Sequence, residues 1–367
     1  MKILLLGEYS NVHWTLSEGL RRLGHQVTVL SNGDFWKDYP RDIDLQRSYA
    51  KWGGISYMLK LYSLLPRLRG YDVVQLINPM FLEIKAERIM PVYEYLKRHN
   101  GKVILGAFGM DFYWADVCCK EKPLRYSDFN IGQNLRTNAD ALKERTDWIG
   151  TAKEHLNRVI AEEASTIVAG LYEYYACYRL RYPGKTVFIP YPIVPKKQEP
   201  LNRHGGKLRL FIGINRSRSA FKGTDIMLPA AQEVAARHPD KVELKVACNI
   251  PFKQYYKMMA DSDALLDQLY SYTPSMNALE AMSRGIICIG GGEPESYDIL
   301  HEDRLRPIIN VEPNYKSVVD ALEGLVAHID GLPELKSQSM EYIRKHHDYI
   351  KVAKKYEQIY YGNTKSI

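Results

Sequence analysis

Three cations crowd one turn of the chain. Arg216, Arg218 and Lys222 follow the apolar run "LRLFIGIN" that begins at Leu208, and Gly223-Thr224-Asp225 then leads into a helical pattern. Cations beside a helix start make an anion site, because unpaired backbone N–H groups add to the side-chain charge. A solvated basic loop gives the same residues. Further along, "PSMNALEAM" places a turn at Pro274-Ser275 ahead of a helix, leaving the N–H groups of Ser275, Met276 and Asn277 open to phosphate oxygens. Glu280 lies about one turn deeper, in a segment otherwise apolar. A carboxylate there can accept hydrogen bonds from two neighbouring hydroxyls, as on a ribose. The alternative, an acid capping its own helix, favours the first turn.

These residues need elements to hold them. Apolar runs alternate with helix-length amphipathic segments from the start: "KILLLG", then "TLSEGLRRLGH" ending at Gly24, then "QVTVLS". Strand, helix, strand with short connections is a βαβ unit and implies a parallel sheet. The pattern continues through "DVVQLI" at Asp72, a helix around Val92 to Arg98, "KVILGAFG" at Lys102 and "STIVAG" at Ser165. Prolines, charges and two glycines over 190–206 read as a linker. A second series follows: "LRLFIGIN", "VELKVAC" at Val242, "ALLDQL" at Ala264 and "GIICIGG" at Gly285. The last segment, "MEYIRKHHDYIKVAKKYEQIYYG", reads as one charged amphipathic helix. The expected fold is α/β, with two Rossmann-like domains facing each other across a cleft. They cover residues 1–195 and 196–340, with a terminal helix over 341–367. Such sheets bind ligands at the carboxyl ends of their strands.

Composition narrows the function without choosing it. At 367 residues, 46% apolar and 25% charged, the chain is an ordinary globular protein long enough for two domains. A net charge of +7 suits an anionic small molecule, a lipid surface or nucleic acid. Nucleic acid is excluded as a partner because the basic residues are dispersed and no recognised module appears. Cys118, Cys119, Cys177, Cys248 and Cys288 give neither a disulfide framework nor a zinc knuckle, which points to a reducing cytoplasm. "MKILLLGEYS" has too short an apolar run for a secretory signal and reads as a first strand. No run of about twenty apolar residues occurs, so the protein is expected to be soluble or to lie on a membrane. After the first strand the chain reads "GEYSNVH", with Gly7 alone, so a dinucleotide fingerprint is missing, and a P-loop is absent too.

At this point the residues carry a resemblance. "KGTDIMLPA", "DALLDQLYSYTPSMNALEAMSRGIICIGGGEPE" and "VFIPYPI" resemble the second domain of a GT-B fold glycosyltransferase, most nearly the retaining group called glycosyltransferase family four. "EAMSRG" followed by a strand and glycines is the most specific part, and "LDQL" (Asp267, Gln268) resembles a variant found in bacterial polysaccharide enzymes. "MKILLLGEYSNVHWTLSEGLRRLGHQVTVLS" and "AFGMDFYW" are similar, more loosely, to the first domain.

The resemblance implies a donor site in which Glu280 binds the ribose of a nucleotide-sugar. Arg216 and Lys222 would neutralise its diphosphate, and the Ser275, Met276 and Asn277 amides would support it. The family pairs its ribose glutamate with another eight positions earlier, where this chain has Tyr272. On the acceptor side, His13 follows the first strand after Gly7, and Asp111 ends a strand, where it can meet an acceptor hydroxyl. A surface histidine is the alternative for His13. The resemblance further implies transfer to a glycan or lipid-linked glycan in cell-surface polysaccharide or lipopolysaccharide synthesis, at the cytoplasmic side of the membrane. It implies no metal, and no cofactor beyond the nucleotide-diphosphate sugar as co-substrate. A non-catalytic nucleotide-sugar-binding protein, and a hydrolase or epimerase on the same ligand, are the rival functions.

"DSD" at Asp261–Asp263 mimics a metal-binding motif of another fold, and its position favours a plain helix-to-strand turn. His346 and His347 are helix neighbours roughly 100° apart and do not form a metal pair. "GGISYMLKLYSLLPRLRG" mixes apolar residues with Lys60, Arg67 and Arg69 and has no acid. It suits either an anionic membrane surface or ordinary packing on the first sheet.

Overall fold

The structure is a computed structural model and describes residues 1–196 and 206–362. Most of the linker expected over 190–206 therefore lies outside the described residues. Two compact units emerge. The first comprises Met1–Val117, Glu144–Pro192 and the chain from Tyr349 on, and the second comprises Cys118–Lys143 and Ile193–Asp348.

The first unit is built on seven parallel strands: β1 (Lys2–Leu6), β2 (Gln26–Ser31), β3 (Ile43–Asp44), β4 (Val73–Leu76), β5 (Lys102–Ala107), β8 (Thr166–Ala169) and β9 (Thr186–Phe188). Their order is β3-β2-β1-β4-β5-β8-β9, with Leu4 opposite both Thr28 and Val74. Ile3 to Leu6 are wholly buried because helices cover both faces of such a sheet, which is why the run carries no polar alternation. The strand order reverses between β1 and β4, the switch point at which parallel sheets bind ligands.

In the second unit an antiparallel hairpin, β6 (Asn130–Ile131) and β7 (Asn134–Leu135), accompanies a four-stranded parallel sheet. That sheet runs β11 (Val242–Cys248), β10 (Leu208–Ile214), β12 (Ala264–Leu266), β13 (Ile287–Ile289), and its order reverses between β10 and β12. The nine apolar runs picked from the sequence are strands. The short edge strands β3 and β9 and the hairpin were not foreseen. Residues 118–143 fall in sequence within the first series but pack with the second unit.

Arg125 and Arg136 anchor that segment. Arg125 reaches Glu293 at 2.6 Å and Glu295 at 2.5 Å, and its backbone N–H donates to the Tyr272 hydroxyl at 2.7 Å. The Arg136 guanidinium lies 3.5 Å from the centre of the Tyr270 ring and donates to the Ala220 carbonyl.

The terminal segment is not one helix. A helix over Leu332–Tyr342 widens into a π turn at Ile343–His347 and stops at Asp348, and a new helix runs Tyr349–Tyr361. The new helix packs on Val12–Arg22 in the first unit. Gly19 makes this possible, since a Cβ there would stand 2.5 Å from the Tyr349 carbonyl oxygen.

The "DSD" stretch is a helix-to-strand turn, between a helix ending at Ala260 and β12. Asp263 is buried there, accepting from Arg209 Nε at 3.0 Å, from the Arg209 backbone at 2.9 Å and from Lys336. Burial pushes its carboxyl up, but Arg209 and Lys336 outweigh that and hold it below the usual range. Cys118 is buried in the helix Phe112–Lys120, and all five cysteines are free thiols.

Candidate functional site

The polar residues of the second unit gather at the β10/β12 switch point. Asp267 follows β12 and is buried. Its Oδ1 accepts from Asn277 Nδ2 at 3.0 Å and its Oδ2 from Ser275 Oγ at 3.2 Å. Burial raises its carboxyl above the usual range, against the charge of Lys222 and those two hydrogen bonds. Lys222 is held in place by its carbonyl, which accepts from the Leu269 N–H at 3.0 Å. Asn277 in turn accepts from the Tyr255 hydroxyl at 3.1 Å. The Tyr255 ring lies against Gly213 near the end of β10, where a Cβ would come within 2.4 Å of it. Gln268 Nε2 completes the group by donating to Ser275 Oγ at 3.0 Å.

Glu280 binds the next residue of the Tyr255 helix and shares no described contact with that cluster. Its Oε1 accepts from the Tyr256 hydroxyl, from Arg284 at 3.1 Å, and pairs with Lys196 at 3.4 Å. Glu280 lies beyond the first turn and does not cap its own helix, and the Arg284 contact is a pair across one turn. Met276 opens the helix Met276–Met282. Ser275 is its N-cap residue, but the Ser275 side chain is engaged by Asp267 and Gln268 and makes no capping bond.

Lys222, Ser275 and Asn277 are thus brought together around Asp267, with Met276 between the last two in the chain, while Glu280 has its own described partners, Tyr256, Arg284 and Lys196. Arg216 is exposed in a short 3-10 turn after β10, at the same end of the sheet, and no described contact ties it to Lys222. Tyr272 is elsewhere occupied. It is buried, its hydroxyl accepts from the Arg125 N–H, and its ring meets Tyr126 at 4.9 Å and the Arg125 guanidinium at 5.0 Å. Its role in this structure is to seat the 118–143 segment. Sequence reasoning missed Tyr255, Tyr256 and Arg136. The spacing "YY" at Tyr255-Tyr256 carried no signal, and Arg136 meets Ala220 and Tyr270, both far along the chain.

In the first unit Gly7 ends β1 with φ at +82°, and a Cβ there would meet Ile77 Cγ2 at 2.3 Å. It borders a cavity of about 220 Å³ at the β1/β4 switch point, lined also by Glu8, Tyr9, Asn32, Tyr57 and Glu83. Glu8 is buried and caps the following helix, accepting from the N–H groups of His13 at 3.2 Å and Trp14 at 2.8 Å. Burial outweighs those bonds and raises its carboxyl to about 8.

His13 is wholly buried, so the surface reading does not hold. Its Nδ1 donates to the Gly7 carbonyl at 2.8 Å, Nε2 accepts from Gln75 at 3.2 Å, and burial lowers it to about 3. Asp111 is also wholly buried. It accepts from the Trp114 N–H at 2.8 Å and the Tyr178 hydroxyl at 2.7 Å, and burial raises it to about 7. Both side chains brace the turns that follow β1 and β5.

These shifts predict a pH dependence of stability. An acid whose folded value is raised keeps a proton that the unfolded chain has released, so stability falls as pH rises from about 4.5 through 8 for Glu8. His13 acts oppositely: its contribution is present above 6.5 and is lost as pH falls toward 3. Denaturant unfolding at neutral and at alkaline pH is expected to show the wild type weaker at the higher pH. Glu8→Gln is expected to remove about 1.4 kcal/mol of that difference, the share that falls between neutral pH and 8.

Two parallel sheets, each carrying polar groups at its switch point, define a class: an α/β protein with a GT-B-like fold of the kind found in nucleotide-sugar glycosyltransferases and epimerases. No protein-family model and no curated protein sequence matches the chain. Solved structures do match. Sucrose-phosphate synthase of Thermosynechococcus elongatus aligns over 98% of this chain and 98% of its own, at 14% identity and a TM-score of 0.62. WaaG, a glycosyltransferase involved in lipopolysaccharide biosynthesis, aligns over 99% and 100% at 13% identity and a TM-score of 0.54. UDP-GlcNAc 2-epimerase from Neisseria meningitidis, bound to UDP-GlcNAc, aligns over 98% and 99% at 12% identity and a TM-score of 0.54.

Proposed function

We propose that the second unit binds a nucleotide-diphosphate sugar and that the protein is a retaining glycosyltransferase of the family-four type. It moves the sugar to a glycan or lipid-linked glycan in cell-surface polysaccharide synthesis, at the cytoplasmic side of the membrane. The observation that carries this reading is the joined set Lys222, Asp267, Ser275, Asn277, Tyr255 at the β10/β12 switch point, with Glu280 alongside. Lys222, with Arg216 from the neighbouring turn, faces the diphosphate. Since the side-chain contacts of Glu280 among the described residues fall on Oε1, its second oxygen is the one assigned to the ribose hydroxyls.

In the reaction the bond from the sugar carbon to the phosphate oxygen breaks and a bond to the acceptor oxygen forms on the same face. The acceptor proton passes to the departing phosphate. Charge grows on the diphosphate as the bond breaks, so fixed cations hold the transition state more strongly than the ground state. The acceptor is assigned to the first unit, in the cavity at Gly7. His13, being buried, acts there by holding the Gly7 carbonyl, whereas Asp111 is engaged by Trp114 and Tyr178, which do not line that cavity.

The likeness to an epimerase favours a second reading, turnover of the nucleotide-sugar without transfer. Tyr272, standing where the family carries an acid, argues against that reading and supports a third, a nucleotide-sugar-binding protein without turnover. Incubation with labelled UDP-, GDP-, ADP- and CDP-sugars and a lipid-linked glycan separates the outcomes. Labelled acceptor is expected. Free sugar or an epimerised donor would support the second reading, and an unchanged donor would leave a binding protein.

A further inference from the structure

The helix Gly53–Leu64 is apolar on two faces. Tyr57, Leu61 and Leu64 are buried in the first unit. On the opposite side Ile55, Leu59 and Tyr62 are 56%, 68% and 52% exposed, and Trp52, just before the helix, is 67% exposed. Steps of three and four residues put these four side chains in one row, because such neighbours share a helix face. Single exposed apolar residues are ordinary on a protein surface, but a contiguous row of large ones marks a contact surface. Tyr49, at 79% exposure, precedes it.

Charge decides what that surface meets. Between Arg47 and Gly70 stand five cations, Arg47, Lys51, Lys60, Arg67 and Arg69, and no acid. The acids that approach from elsewhere are Asp44, 3.4 Å from Lys60, and Glu83, which engages the Arg47 backbone and Tyr49. Neither faces Lys51 or Arg67, which are exposed. Tryptophan and tyrosine place an apolar ring and a polar edge together, the pairing favoured at the boundary of lipid headgroups and acyl chains. No described helix is long and apolar enough to cross a membrane, so this segment can only lie on one.

We propose that the outer face of the helix Gly53–Leu64, with Trp52, inserts into the headgroup boundary of an anionic lipid bilayer, while Lys51, Lys60 and Arg67 meet the lipid phosphates. The inner face of the same helix supplies Tyr57 to the cavity at Gly7. The bilayer contact and the cavity therefore lie on opposite sides of one helix. This surface does not depend on the donor site, and its test needs no turnover.

Flotation of the purified protein with vesicles of phosphatidylcholine, with or without phosphatidylglycerol, tests the proposal. The wild type is expected to float with phosphatidylglycerol vesicles only, less so at high salt. Lys51→Gln and Arg67→Gln are each expected to weaken partitioning about fivefold. Leu59→Glu and Ile55→Glu are expected to abolish it with the melting curve unchanged, since both positions are exposed, and Leu59→Ser serves should a glutamate perturb the fold. Three results would overturn the proposal: no binding to phosphatidylglycerol vesicles, binding by Leu59→Glu equal to wild type, or a vesicle-indifferent dimer that Leu59→Glu splits.

Discussion

Replacing Lys222 by alanine is expected to lower the rate of sugar transfer roughly a hundredfold while the protein remains folded. The size comes from the step at which the charge acts. Removing one fixed group that faces a charge growing in the transition state typically costs ~3 kcal/mol. Lys222 is half-buried beside a carboxylate, Asp267, that burial already makes reluctant to ionise. With the lysine gone, the diphosphate loses that attraction, and Asp267, which Lys222 no longer draws toward its ionised form, supplies nothing in its place. The loss should appear both in donor affinity and in kcat, because the lysine faces the diphosphate in the ground state and more strongly as charge grows in the transition state. Far-ultraviolet circular dichroism and the melting curve should match wild type, because the backbone bond from Leu269 to the Lys222 carbonyl survives the substitution. A rate within a few-fold of wild type would remove Lys222 from the chemistry.

The second large effect is on stability. Asp263 sits at the amino end of β12, the opposite end from Asp267, where it neutralises two largely buried cations, Arg209 and Lys336. Asp263→Ala would leave both without their shared acid. Breaking a buried pair on one side commonly costs about 3–5 kcal/mol, because the remaining charge keeps its desolvation penalty. Asp261, which binds Arg209 at 2.5 Å, is more exposed and cannot reach the strand backbone as Asp263 does, so it offsets only part of that cost. Urea unfolding should show a lower midpoint with an unchanged slope. A loss below about 1 kcal/mol, the level of exposed ion pairs, would show that the network is solvated in solution.

The strands were legible because their burial leaves a plain mark. "ILLL" and "ICI" are covered on both faces and nothing polar interrupts them, while "LRLFIGI" carries a single charge, Arg209, that Asp263 neutralises, and each run found in the sequence became a strand. β3 and β9 hold two and three residues at the sheet edges and leave no comparable run. The 118–143 segment was illegible for a different reason: its attachments, Arg125 to Glu293 and Arg136 to Ala220, join residues far apart in the chain, and local pattern carries no trace of them. The same limit hid the break at Asp348, where the terminal segment passes from the second unit to the first.

In the site, the turn after β10 and the helix start at Ser275 were readable because both follow strands at predictable places. That Asp267 would tie Lys222 to Asn277, or that Tyr272 would be consumed by Arg125, was not readable, since each depends on which loops meet at the switch point.

Titration calorimetry with UDP-, GDP-, ADP- and CDP-sugars, on wild type and on Lys222→Ala and Glu280→Gln, tests the account most directly. It predicts that one nucleotide series binds the wild type with one-to-one stoichiometry. That ligand, at about a hundred times its dissociation constant, would stabilise the fold by ~2.7 kcal/mol. Both variants should lose most of the affinity. If no series binds, or if the variants bind as wild type does, the cluster at the β10/β12 switch point is not a sugar-nucleotide site.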